Sequence, residues 1–171
     1  MRLKKWLSSA SIAIMTRKST KTSTRPRHTA GLSIRELKTR AEIETIYPLV
    51  KQVNPQVSKR EFMTDLDTML PLGYRCIGAF SGDKLVGACG LWIGRRFWCG
   101  KYCEVDNLVV DLNQRSGGIG ALMMRWVEKE AKKEKCAIVM ADSYTTNHAS
   151  HRFYFREGYI IKGYCFYKEL Y

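Results

Sequence analysis

The spacing of apolar residues changes several times along the chain, and each change marks an element. Residues 32–37 read as a first strand. From Thr39 the spacing turns helical, with Ile43, Ile46, Tyr47 and Val50 on one side; Pro48 is expected to bend or shorten this helix. Phe62, Leu66, Met69 and Leu70 predict a second helix, which Pro71 ends. Thr39-Arg-Ala-Glu42 and Ser58-Lys-Arg-Glu61 are capping boxes that open the two helices. Strands are then predicted over 74–80 and 85–93, joined by a turn at 81–84. A second turn at 94–96 leads to a strand over 97–110, interrupted near Cys99-Gly100. Its strongest part is 105–110, with the apolar run Leu108-Val109-Val110. Helical spacing returns with Ile119, Leu122, Met123, Trp126, Val127 and Ala131, which predicts a helix over 118–133. A strand over 137–142, a helix over 147–157 and strands over 159–161 and 165–170 complete the chain.

The order β-α-α-β-β-β-α-β-α-β-β is that of a mixed α/β (α+β) chain. It has an antiparallel first part and a β-α-β crossover in the second. At 171 residues, one domain is expected over 31–171, preceded by a tail over 1–30. The apolar fraction of 45% is that of a globular protein. No apolar run approaches the roughly 20 residues that span a bilayer, so no transmembrane segment is expected.

Charge alters this picture only at the N-terminus. The formal net charge is +13, and residues 1–30 carry eight Lys/Arg and no acid, which leaves +5 for the rest. This Ser/Thr-rich stretch is expected to be disordered. Its composition suits an organelle transit peptide, a basic arm for nucleic acid or acidic membrane, or a leader with no role; a secretory signal fits poorly. The six cysteines (Cys76, Cys89, Cys99, Cys103, Cys136, Cys165) fall mostly in apolar segments without a C-x-x-C. They read as free thiols in a reducing compartment, hence cytoplasmic unless the tail targets an organelle. His148 and His151 share a helix face but lack further ligands at metal spacing, so no metal is expected.

The chemistry concentrates between the strand over 105–110 and the helix that follows. Arg115-Ser116-Gly117-Gly118-Ile119-Gly120 is a glycine turn at a helix N-terminus. Unpaired N–H groups and the helix dipole there favour an anion such as a phosphate or pyrophosphate. The turn fits neither the G-x-G-x-x-G fingerprint nor the P-loop. It does fit Gln/Arg-x-x-Gly-x-Gly/Ala, through Arg115, Gly118 and Gly120. A second motif follows in Asn147, Phe153, Tyr154, Gly158 and Tyr159, with Ser150 where alanine is usual. Together, over roughly 32–171, the two motifs resemble the GNAT family of N-acetyltransferases.

The resemblance implies the GNAT fold: a central, mostly antiparallel sheet flanked by helices, with a splayed parallel pair of strands that holds acetyl-CoA as co-substrate. It also implies direct transfer of an acetyl group to a primary amine. Backbone N–H groups of Arg115, Ser116, Gly117, Gly118, Ile119 and Gly120 would bind the pyrophosphate, and those near Val109 or Val110 the pantetheine. Asn147 would contact the cofactor or simply cap its helix. Tyr154 is the implied general acid. Asp106 is the first candidate base, Glu104 the second and Asp142 the third. The charge of Glu104 with Asp106 would suit a cationic acceptor, whether a small molecule or a protein amine. Trp92, Phe97, Trp98 and Tyr102 are candidates for an acceptor wall, core packing or a homodimer contact. Two rivals remain: a non-catalytic acyl-CoA-binding module with a nucleic-acid-binding tail, and an acetyltransferase acting on charged tRNA.

Overall fold

The computed structural model describes residues 31–170; the basic stretch 1–30, and the targeting and nucleic-acid expectations attached to it, lie outside the described residues. Strand β1 (Leu32–Leu37) falls where the sequence puts it. Thr39 and Glu42 cap reciprocally: the Thr39 hydroxyl accepts from the Glu42 N–H, and the Glu42 carboxylate accepts from the Thr39 N–H, both at 3.1 Å. The helix they start is cut into α1 (Arg40–Glu44) and α2 (Tyr47–Val53). Pro48 is the cause: it has no N–H to continue the ladder and is tolerated only in a first turn. Ser58 and Glu61 repeat the capping box at the start of α3 (Lys59–Met69), which Pro71 closes into a single 3-10 turn over Leu70–Leu72.

Strands β2 (Arg75–Ser81), β3 (Lys84–Arg96), β4 (Gly100–Val110) and β5 (Ile138–Ala141) join β1 in one sheet of order β1-β2-β3-β4-β5. The first four are antiparallel to their neighbours; β4 and β5 are parallel and are connected through α4 (Ile119–Lys133). Helix α5 (His148–Arg156) follows β5.

Two expectations fail. The turn predicted at 94–96 is strand, and the chain reverses at 97–99 instead. Gly94 is opposite Tyr102, and a Cβ on it would stand 2.5 Å from the Tyr102 ring. That glycine marks close cross-strand packing, not a turn. The strands predicted over 159–161 and 165–170 are also absent: residues 159–170 join no ladder, and Ile160, Ile161, Tyr164, Phe166, Tyr167 and Leu170 are exposed. Their composition favours strand, but a strand exists only where a neighbour pairs with it.

The sheet has a core on each face. On one, Ile77, Val86, Cys89, Leu91, Cys103 and Val105 pack against Met123, Met124 and Val127 of α4. On the other, Tyr74, Cys76, Ala88 and Val109 pack under Ile43, Leu49, Val50 and Leu66 of α1 to α3. Arg75 pairs with Glu36 at 2.6 Å and Glu130 at 2.9 Å, fixing α4 to β1 and β2.

A bulge in β4 changes which residues face each core. Gly90 pairs with Asp106 but Ala88 with Val109, so Cys89 alone opposes Asn107 and Leu108. Asn107 takes a left-handed φ of 50°, a conformation asparagine tolerates better than most residues. Before the bulge, Cys103 and Val105 face α4; after it, Leu108 and Val110 do, and Val109 turns to the opposite core. Glu104 and Asp106 therefore lie together on the face away from α4.

Candidate active site

Strands β4 and β5 pair only from Tyr102↔Ile138 to Val105↔Ala141. Beyond that β5 ends, while β4 runs on for five residues, so the two strands part. The Asp111 N–H donates to the Val86 carbonyl of β3 at 2.9 Å. Backbone groups alternate sides along a strand, so the N–H and carbonyl of Val110 point the other way, into the split. Val109 faces β3 with its backbone and the buried core with its side chain. Of the two valines expected to meet pantetheine, Val110 thus turns its backbone to the split, where its carbonyl accepts from Arg115 Nε.

The glycine turn closes one end of the split. Asp111 starts it, accepting from the Asn113 N–H at 3.0 Å. Ser116 (φ 68°) and Gly118 (φ 87°) are both left-handed, and Gly118 is the N-cap of α4. The first helical bond runs from Leu122 N–H to the Gly118 carbonyl at 3.0 Å, so the N–H groups of Ile119, Gly120 and Ala121 have no helical partner. The Ile119 side chain is buried in the core, leaving only its amide for a ligand. Gly117 has no close neighbour, the nearest being the Gln114 carbonyl at 3.6 Å from an added Cβ. Arg115 folds back, with its Nε 3.4 Å from the Val110 carbonyl.

Helix α5 closes the other side. Asn147 caps it, its side-chain oxygen accepting from the Ser150 N–H at 3.1 Å. Between α4 and α5 lies an open cleft of about 340 Å³ lined by Ser116, Gly118, Ala121, Phe153, Arg156 and Glu157. Tyr154 packs against Phe153 and Tyr159, with ring centroids 5.2 and 5.6 Å away. Its hydroxyl makes no hydrogen bond among the described residues. Burial, with Cys89 and Asp142 nearby, pushes its pKa up to about 12. It stays protonated at neutral pH.

On the opposite face, the half-buried Asp106 carboxylate accepts from Asn107 Nδ2 at 2.7 Å and from Trp92 Nε1 at 3.4 Å. Burial raises its pKa, and hydrogen bonds from Trp92 Nε1 and from the Asn107 backbone N–H pull it back part of the way. Trp92 leans on Tyr74 at 5.3 Å, and Tyr74 covers Gly90, where a Cβ would fall 2.3 Å from the tyrosine oxygen. Glu104 is held by Arg96 at 3.6 Å, with the guanidinium 4.7 Å above the Tyr102 ring. Trp92 and Tyr102 thus flank the carboxylates, whereas Phe97 and Trp98 stand exposed at the hairpin tip. Asp142 is exposed past the end of β5. His148 and His151 lie edge to face at 5.9 Å, and among the described residues no three His, Cys, Asp or Glu are grouped to hold a metal.

The β4–β5 pairing ends at Ala141, a left-handed glycine turn precedes α4, and α5, which carries the half-buried Tyr154, lies across the cleft from it. The model of the acetyltransferase (GNAT) family matches this sequence over residues 39–159. The chain belongs to that family. By sequence search, no curated protein matches this GNAT chain. By structure, it is similar to an aminoglycoside N-acetyltransferase in complex with CoA, with a TM-score of 0.71 at 16% identity over 81% of this chain and 95% of the other. It is similar to glucosamine-6-phosphate N-acetyltransferase from Arabidopsis thaliana, with a TM-score of 0.64 at 20% identity over 81% and 98%. It also resembles a putative acetyltransferase from Agrobacterium tumefaciens, with a TM-score of 0.69 at 22% identity over 80% and 99%.

Sequence reasoning missed two features of this GNAT site. Arg156 and Glu157 line the cleft, yet in sequence they read as an ordinary helix end. The bulge at Asn107 left one signal, a turn-prone residue inside a strand of apolar and β-branched neighbours.

Proposed function

We propose that the protein is an acetyl-CoA-dependent N-acetyltransferase that moves an acetyl group directly to a primary amine. The observation that carries this is the end of the β4–β5 pairing at Val105↔Ala141, with the unpaired amides of the α4 N-terminus near it and α5, the helix that carries Tyr154, across the cleft from them. The residues fit the co-substrate: the turn has left-handed Gly118 and open Gly117 where a pyrophosphate would approach, and the cleft beside it leaves room. Bound acetyl-CoA supplies an activated thioester.

The chain's residues do the rest. Amides from Arg115 to Gly120 hold the diphosphate, and Arg156 at the cleft adds a positive charge. The Val110 backbone edge aligns the pantetheine arm, so that positioning and fixed dipoles carry much of the rate. Asn147 holds the start of α5 and with it the direction of Tyr154. Asp106, ionised, takes the ammonium proton of the acceptor, and Glu104 draws the cation in. Tyr154 holds a proton for the departing thiolate, and burial keeps it there at neutral pH.

The acceptor class follows from two carboxylates flanked by Trp92 and Tyr102: a compact amine that is cationic before it reacts. Two of the structural relatives are named for amine-bearing acceptors, an aminoglycoside and glucosamine 6-phosphate. The test is a thermal-shift titration of the full chain with acetyl-CoA, with adenosine diphosphate as control, followed by turnover against an amine library. A native-state ligand at a hundredfold excess over its dissociation constant stabilises by about 2.7 kcal/mol. Absence of any shift with acetyl-CoA refutes the cofactor assignment. A shift without turnover of any amine leaves a binding module.

A further inference from the structure

Helix α2 ends against the two places where β4 departs from regular strand. Asn54, its C-cap, donates its own N–H to the Val50 carbonyl at 2.8 Å, and its side-chain Nδ2 reaches Asn107 Oδ1 at 3.3 Å. Asn107 passes the contact on, donating from Nδ2 to Asp106 Oδ1 at 2.7 Å. The direction of this chain is fixed. An ionised carboxylate only accepts, so the Asn107 amino group must face Asp106 and its oxygen must face Asn54. Two residues before the cap, Gln52 Oε1 accepts from the Leu112 N–H at 3.1 Å, at the start of the turn leading to the glycine loop. The end of α2 therefore holds β4 at the bulge and just past its last residue, on either side of Val110. The loop that carries Asn54 is itself secured: Lys51 Nζ donates to the Val57 carbonyl at 3.1 Å, and the Tyr47 hydroxyl to the same carbonyl at 3.3 Å.

Asn54 and Asn107 are both exposed, so neither contributes much to the core. What they share is a hydrogen-bond path to a half-buried acid. We propose that Asn54 is a positioning residue for Asp106, acting through the side chain of Asn107. The functional meaning rests on Asp106 being the base, but the positioning itself does not depend on turnover. The bond from Asn107 favours the ionised acid and, with Trp92 on the other oxygen, fixes the plane of the carboxylate. Asn54 keeps Asn107 turned to make that bond. Without Asn54, the Asn107 side chain is free to rotate into solvent, and Asp106 keeps Trp92 and the Asn107 backbone N–H.

The other groups around Asp106 leave its titration readable. Tyr74 just before β2, Cys76 of β2 and Cys89 of β3 count it among their neighbours, and all three are pushed up by burial and stay neutral. Glu104, two residues before it on β4, is engaged by Arg96.

The experiment is carbon-detected NMR titration of the Asp106 carboxyl in the full-length wild type, in Asn54→Ala and in Asn107→Gly. Glycine keeps the left-handed backbone at 107 while removing the side chain. Asn107→Gly should raise the Asp106 pKa by about one pH unit, a tenfold change in proton affinity. Asn54→Ala should move it the same way by less, with Tm unchanged. In turnover, the acid limb of kcat/KM for the amine should follow, while KM for acetyl-CoA stays constant. An Asp106 pKa that is unmoved in Asn54→Ala while Asn107→Gly shifts it overturns the role of Asn54. If neither variant shifts it, the whole path is overturned. A shift by NMR in a protein that acetylates no amine upholds the positioning and refutes instead the proposed activity.

Discussion

Gly120 and Phe153 meet across the cleft between α4 and α5: a Cβ on Gly120 would stand 3.2 Å from the Phe153 ring. The second residue of α4 thus sets how closely the two helices approach, and Phe153 is the neighbour of Tyr154. The glycine has two roles here, leaving an amide open to an anion and seating the helix that carries the candidate acid.

Bulk at this turn should therefore act in distinguishable ways. Gly120→Val should displace Phe153, lower Tm and abolish the thermal shift with acetyl-CoA. Gly118→Val should also abolish it, through strain at φ 87°, where an L side chain costs roughly 1–2 kcal/mol. Gly117→Ala, with its nearest atom at 3.6 Å, should fold with wild-type Tm. Differential scanning fluorimetry with and without acetyl-CoA checks all three. Normal binding by both valine variants would remove the turn from the site.

Tyr154→Phe removes one hydroxyl that has no partner among the described residues, so stability should change little. Turnover should fall by about 10²-fold or more if the phenol donates the proton, with the acetyl-CoA dissociation constant unchanged. Because burial holds the phenol at about 12, it keeps its proton across the usual assay range. Loss of activity between pH 8 and 10 should then survive in Tyr154→Phe, since it belongs to another group. Undiminished kcat in this variant would leave Tyr154 as packing.

Where local chemistry decides structure, the sequence was explicit. Thr39 with Glu42, Ser58 with Glu61, and Asn147 with Ser150 cap their helices as their spacing implies. Pro48 divides the first helix for a reason that belongs to proline alone. Long-range partners were less legible. Gly94 looked like a turn because nothing local says that Tyr102 will lie over it. Residues 159–161 and 165–170 looked like strands because propensity does not reveal whether a ladder partner exists. The same limit applies to the site. Asp106 and Glu104 were readable as carboxylates on one face, but the bulge that turns Val110 into the split depends on the pairing with β3. Arg156 gained meaning only once α5 lay beside the turn.

Glu42 gives a prediction about stability in acid. Arg35 at 2.6 Å, and the backbone N–H groups of Lys38 and Thr39, hold its pKa down to about 2. A carboxyl whose pKa falls on folding stabilises fully above its unfolded value, near 4.3, and loses that contribution as pH drops through the folded value. Wild type should therefore exceed Glu42→Gln in Tm at pH 7. The gap should narrow between about pH 4 and pH 2 and close below that. Thermal melts across this window check it, and a gap that persists unchanged at low pH would place the effect outside the carboxylate charge.

Asp106 should behave in the opposite sense, and that separates the two candidate bases. Burial raises its pKa, so folding disfavours its ionised form. The sign is then a cost to stability at pH values where the acid is ionised, and none where it is protonated in both states. Asp106→Asn should raise Tm at pH 7 and leave it nearly unchanged at pH 3. The same substitution should lower kcat by about 10²-fold and remove the acid limb of the kcat/KM profile. Glu104 is already engaged by Arg96 at 3.6 Å. Glu104→Gln should therefore keep the limb and raise KM several-fold, most for acceptors with two positive charges. A gain in stability joined to a loss of catalysis at one carboxylate is what a base held in an unfavourable environment produces. If instead Glu104→Gln removes the limb and Asp106→Asn retains it, the proton passes to Glu104, and Asp106 is a structural anchor for Trp92 and the bulge.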